Sequence, residues 1–163
     1  MSLAYMFPML ALVCAGTHIY NMKRPRQKDR IVEMLLLYFL VFCVGLTGLW
    51  GFLGHALDGA RVAQFIGWPP GNPFQFEVAV ANLAFSVLGF LAVWVRGSFW
   101  TATVIGYTVF LWGAAFGHIR DIIVNKNYAP GNAGAVLNMD IIIPVLLISL
   151  LILLKWLKRG HEK

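Results

Sequence analysis

The sequence predicts an all-α polytopic membrane protein of five transmembrane helices, the last four forming a four-helix bundle by pseudo-two-fold repetition. Three observations predict it. Hydrophobic residues fill 60% of the 163 positions and charged residues 12%, and mean hydropathy is +0.73. Apolar runs of about 20 residues recur, the length a helix needs to cross roughly 30 Å of hydrocarbon. Polar residues at the ends of these runs also recur at an offset of 63 residues. In lipid each segment must satisfy its own backbone hydrogen bonds, which selects helices, and barrel-type alternation is absent.

The five runs cover 2–21, 31–56, 76–96, 98–121 and 136–157. The first has no basic residues before it and Lys23, Arg24 and Arg26 after it, so it reads as a retained helix and not a cleaved signal. It lies outside the repeat, and 1–21 is expected to be a peripheral helix. The second carries Gly45, Gly48, Gly51 and Gly54 at three-residue spacing, which lets a neighbouring backbone approach closely. The third opens with Glu77 and ends near Trp94. The fourth carries Gly113 and Gly117, a G-x-x-x-G pair, just ahead of His118. The fifth holds Asp140 inside its apolar run, in NMDIIIP, and ends near Trp156. Residues 1–163 are therefore expected to form one membrane domain. Repeat one spans 31–96, repeat two spans 98–157, and a cytoplasmic tail follows at 158–163.

The net charge of +6 is distributed as a topology signal, not as a nucleic-acid patch. If the helices alternate, Lys23, Arg24, Arg26, Lys28, Arg30, Arg96, Lys155, Lys158, Arg159 and Lys163 share one side, leaving Arg61, Arg120 and Lys126 on the other. The positive-inside rule then puts the N-terminus outside and the C-terminus in the cytoplasm. The implied partner is the lipid bilayer, with basic residues at its headgroups; no nucleic acid is implied. Cys14 and Cys43 form no redox or disulfide motif and read as small buried hydrophobes.

Shifting the chain by 63 residues sets Gly54, His55 and Asp58 on Gly117, His118 and Asp121, and Gln75 and Glu77 on Asn138 and Asp140. Each half thus has a His-x-x-Asp helix end, a loop with Pro-Gly-Asn, and a carboxylate 22 residues beyond the histidine. Positions i and i+3 share a helix face, so each imidazole sits beside a carboxylate. With a two-fold axis along the membrane normal, His55, Asp58, Glu77, His118, Asp121 and Asp140 converge at the outer mouth of the bundle. Neutral imidazole and carboxylate are ligands for a divalent transition metal, here zinc, iron or manganese. The set resembles four-helix di-metal carboxylate proteins in residue count and helix distribution. It differs from them in order, His-x-x-Asp in place of Glu-x-x-His.

A purely structural account also fits. Asp58 and Asp121 lie near Arg61 and Arg120, Glu77 and Asp140 favour helix N-termini, and Pro-Gly-Asn is turn chemistry. His18 and Glu33 lie near the cytoplasmic ends of the first two spans, where they could pair or make lone helix-edge contacts. Asn82, Thr47 and Tyr107 suit interhelical hydrogen bonds. Three functions stay open. One is a metal-binding or acid–base site acting on a membrane-soluble or periplasmic small molecule. The others are a small transporter or proton-handling protein, and a non-catalytic membrane subunit or scaffold.

The stretch GHIRDIIVNKNYAPGNAG, followed by the NMDIIIP helix, resembles small multi-spanning bacterial membrane proteins catalogued only as a family of unknown function. The resemblance covers most of the chain from about residue 31. It implies a bacterial inner-membrane location and supplies no activity.

Overall fold

The computed structural model describes residues 3–22 and 27–160, and among them the only regular structure is helix. The helices are α1 (Leu3–Tyr20), α2 (Lys28–Leu57), α3 (Gly59–Ile66), α4 (Phe74–Leu91), α5 (Ser98–Asn125) and α6 (Ala135–Arg159). All but the short α3 are long and apolar enough to cross a membrane. The predicted runs correspond to α1, α2, α4, α5 and α6 in turn. Lys23, Arg24, Arg26, His161 and Lys163 lie outside the described residues.

Three segments differ from the sequence expectation. α4 stops at Leu91, and Ala92 to Val95 form a tight turn closed by Val95 N donating to the Leu91 carbonyl at 2.9 Å. α5 runs to Asn125, four residues past the expected end, and stops at Lys126 in the left-handed region, φ 55°. α3 was not foreseen, because its eight residues interleave Arg61 and Gln64 with Ala63 and Ile66 and lack the length of a span.

α4 packs along the second half of α2, α6 packs along α5 and along the first half of α2, and α1 leans on α2 and α6. α1 buries only Phe7, Ala11 and Ala15 among its described residues. The shared core draws Leu36, Leu40 and Val44 from α2, Val104 and Tyr107 from α5, and Leu147 from α6. Between Leu40 and Leu46, α2 widens into a π-helix. Such a widening strains the regular backbone ladder, and here the Cys43 carbonyl accepts a hydrogen bond from Tyr107 Oη at 2.9 Å. Tyr107 therefore joins α5 to α2. Asn82 and Thr47 instead bond within their own helices, to the carbonyls of Val78 (2.9 Å) and Phe42 (3.2 Å).

The glycine row of α2 does what its spacing suggests. Gly45, Gly48 and Gly51 meet Phe90, Ser86 and Asn82 of α4, and a Cβ added at Gly89 would overlap the Gly45 backbone. Nothing soft can yield there, since the obstacle is main chain. Gly89→Ala is expected to push α4 off α2 and cost about 1–3 kcal/mol, the usual range for overpacking, read as a lower unfolding midpoint in detergent. Gly113 and Gly117 face open space, and Gly113→Ala should leave that midpoint unchanged.

At one end of the bundle three elements meet on a single carboxylate. Glu33 of α2 is buried and accepts from Arg96 Nη1 at 2.6 Å and pairs with Lys158 Nζ at 3.2 Å. Arg96 also lies over the Trp100 ring at 5.3 Å. The start of α2, the α4–α5 link and the end of α6 thus lie together, as alternating spans require. His18 instead contacts Tyr38 Oη at 3.0 Å, a helix-edge contact between α1 and α2.

Candidate functional site

At the opposite end, residues 126–134 fold back over the bundle and carry Asn132 inside. Two close approaches allow this. Gly131 N donates to the Phe65 carbonyl at 3.0 Å with no room for a side chain against Phe65. Gly67, at φ 83°, ends α3 directly beneath Asn127. A Cβ at Gly67 would meet both strain and the Asn127 amide.

Asn132 is completely buried (0% exposed). Its Nδ2 donates to the Asn127 carbonyl at 2.8 Å and, more weakly, to the His118 carbonyl at 3.4 Å. Those two bonds orient the amide, leaving Oδ1 to face His118 Nδ1 at 2.7 Å. An amide oxygen only accepts, so His118 Nδ1 carries the hydrogen. The other ring nitrogen, Nε2, faces Asp140 Oδ2 at 3.7 Å, an ion-pairing distance longer than a direct hydrogen bond. Both residues are buried, His118 at 7% and Asp140 at 8% exposure.

With Nδ1 committed, Nε2 is either a bare lone pair or an N–H. Two lone pairs facing each other away from water would be costly. One proton therefore resides on the pair, as imidazolium and carboxylate or as imidazole and carboxylic acid. Either state is neutral overall. Pro144, buried on the same helix, has no N–H for the Asp140 carbonyl four residues earlier. Trp68 stacks on the His118 ring, with centroids 6.3 Å apart and planes 18° apart.

The remaining predicted residues are dispersed. Asp121 accepts from Asn125 Nδ2 and Asn127 Nδ2, each at 2.6 Å, and makes no pair with Arg120. Asp58 ends α2 and forms an exposed ion pair with Arg61 at 3.2 Å. Glu77 is exposed on α4, while Gln75 turns inward to donate to the Gly59 carbonyl at 2.8 Å. His55 is half-buried, and its Nδ1 has no hydrogen-bond partner among the described residues. Of the six, only His118 and Asp140 come together. Among the described residues no three His, Cys, Asp or Glu side chains are arranged to hold a metal ion. Zinc, iron or manganese would find two donors here, one imidazole nitrogen and one carboxylate, short of a closed protein ligand set.

Asn132 is the member of this buried cluster that sequence reasoning did not single out. The Pro-Gly-Asn triplets are both turn-like, and Asn72 behaves as expected, accepting from Phe74 N at 2.9 Å while exposed. The burial of Asn132 depends on the loop folding back, and no local pattern signals that.

Beside the cluster, a cleft of about 760 Å³ opens between the α3–α4 loop and the end of α5. Trp68, Phe74, Gln75, Asp121, Asn125 and Asn127 line it. Trp68 is the wall between this cleft and His118.

A family model described as "Family of unknown function (DUF6790)" matches residues 1–160. No curated protein and no solved structure matches the chain.

Proposed function

The chain belongs to this family of unknown function, and from that premise, which carries no activity, we propose that it is a proton-handling membrane protein working through His118 and Asp140. The observation that carries this reading is the buried imidazole–carboxyl pair with its tautomer held by Asn132. Ionisable residues at membrane depth are costly and tend to serve function. Here the proton moves between Nε2 and the Asp140 carboxyl without changing the net charge of the site. Releasing it to water would leave a buried carboxylate facing a lone pair, so release requires the site to open. Burial thus makes the pair a holder of one proton whose exchange depends on conformation.

We place the protein in the bacterial inner membrane with this site at the periplasmic face. The supporting observation is the gathering of Arg96 and Lys158 on Glu33 at the other end, where the positive-inside rule puts the cytoplasm. The paired hairpins α2–α4 and α5–α6 are read as a parallel repeat. Supporting it, α4 packs along α2 as α6 packs along α5. A second reading, acid–base chemistry on a small molecule bound in the cleft, is favoured by Trp68 touching both places.

Asp140→Asn keeps the shape and supplies an N–H toward Nε2 but has no exchangeable carboxyl proton. In proteoliposomes carrying an internal pH dye, wild-type protein is expected to dissipate an imposed pH gradient, and Asp140→Asn and His118→Gln to fall to the rate of empty liposomes. A wild-type rate no faster than empty liposomes, or an Asp140→Asn rate equal to wild type, overturns the proposal.

A further inference from the structure

We infer that the cleft beside the cluster binds an ammonium group, from a free amine or from a lipid headgroup. A census of its polar atoms carries the inference. Each amide that lines it commits at least one N–H inside the protein. Gln75 Nε2 donates to the Gly59 carbonyl at 2.8 Å, Asn125 Nδ2 to Asp121 at 2.6 Å, and Asn127 Nδ2 to Asp121 at 2.6 Å and the Ile66 carbonyl at 2.9 Å. What remains for a ligand is the Gln75 and Asn125 amide oxygens, one N–H on each of those two amides, and the free lone pairs of the Asp121 carboxylate, the one full charge in the lining.

Asp121 is also a carboxylate that no cationic side chain bonds among the described residues. Among the described residues, Asp58, Glu33 and Asp140 have cationic or imidazole partners, whereas the side chains that bond Asp121 are the neutral Asn125, Asn127 and Trp68. Two aromatic side chains complete the cleft. Trp68 gives one face to His118 and still lines the space, and Phe74 stands on the α4 side, 64% exposed. A carboxylate backed by oriented donors and flanked by aromatic rings attracts an organic cation through charge, N–H···O bonds and cation–π contact. An anionic ligand would face the charge of the Asp121 carboxylate. The volume, about 760 Å³, admits an aminoalcohol or a phospholipid headgroup.

The test uses the full chain in nanodiscs. Ethanolamine is titrated by calorimetry into phosphatidylglycerol nanodiscs, and lipid retention is read by native mass spectrometry from nanodiscs mixing phosphatidylethanolamine with phosphatidylglycerol. Saturable ethanolamine binding identifies a free amine as the source. Selective retention of phosphatidylethanolamine without ethanolamine binding identifies the headgroup. In either case Asp121→Asn should weaken binding at least about tenfold, the scale of a charge-assisted contact. Trp68→Leu, which removes the aromatic face and the indole N–H on Asp121 but leaves both amides in place, should weaken it severalfold, and Asp58→Asn should leave it unchanged. Binding of neither probe to wild type, or wild-type binding in both Asp121→Asn and Trp68→Leu, overturns the inference. His118→Gln and Asp140→Asn abolish proton movement but should retain amine binding, so failure of this site and failure of the proton site are separable.

Discussion

Replacing Asn132 with leucine is expected to destabilise the fold by about 3 kcal/mol or more. Leucine matches the volume but leaves His118 Nδ1–H and the carbonyls of Asn127 and His118 without their partner. Each buried polar group so orphaned costs about 1–3 kcal/mol, and at a fully enclosed position no water can enter as a substitute. Asn132→Asp should cost less, because one carboxylate oxygen still accepts from Nδ1 while the two carbonyls lose their donor. The comparison is read from reversible unfolding in detergent. The same leucine substitution at Asn72, its exposed counterpart, should cost under about 1 kcal/mol, since an exposed cap is replaced by water. Equal costs at the two positions would contradict the role given to Asn132.

The second large effect is at Asp140. Asp140→Leu leaves Nε2 of a buried histidine facing hydrocarbon and is expected to cost about 3 kcal/mol, the scale for truncating one partner of a buried pair. Asp140→Asn, which offers an N–H to that nitrogen, should stay within about 1 kcal/mol of wild type. Stability and proton movement then separate, because both substitutions remove the carboxyl proton and only one disturbs the fold. The double variant His118→Leu/Asp140→Leu should cost less than the sum of its single changes, because the second leaves no polar group facing the first. Strict additivity would mean that the two side chains act independently despite their 3.7 Å approach.

Much of the fold was legible in the sequence because lipid simplifies the code. Five apolar runs became five long helices, and Gly45, Gly48 and Gly51 of α2 met α4 where a three-residue spacing puts them on one face. The π-helical stretch was not legible. Leu40–Leu46 is uniformly apolar, and the widened turn shows only in three dimensions, where Tyr107 bonds the Cys43 carbonyl.

The candidate site was half legible for a related reason. The 22-residue spacing from His118 to Asp140 does mark a pair, because α5 continues past His118 to Asn125 and holds the imidazole inside the bundle. The same spacing from His55 to Glu77 marks none. There α2 breaks at Asp58, α3 intervenes, and Gln75, not Glu77, is the residue turned inward. Identical polar spacing thus gave different sites because the helix ended about one and a half turns earlier in one half. Asp121 was expected beside Arg120, yet Asn125 and Asn127, one and nearly two turns on, are nearer its carboxylate. Amides compete for a carboxylate as well as an arginine does when the loop delivers them.

The central claim is that His118 Nδ1 is held as a donor to Asn132, so that a single proton is shared between Nε2 and Asp140. Nitrogen-15 NMR of imidazole-labelled protein in bilayers, with His118→Gln to assign the signal, tests it directly. His118 Nδ1 is expected to carry a hydrogen, with the Nε2 signal altered by Asp140→Asn. A neutral His118 protonated at Nε2 and bare at Nδ1 would contradict the account.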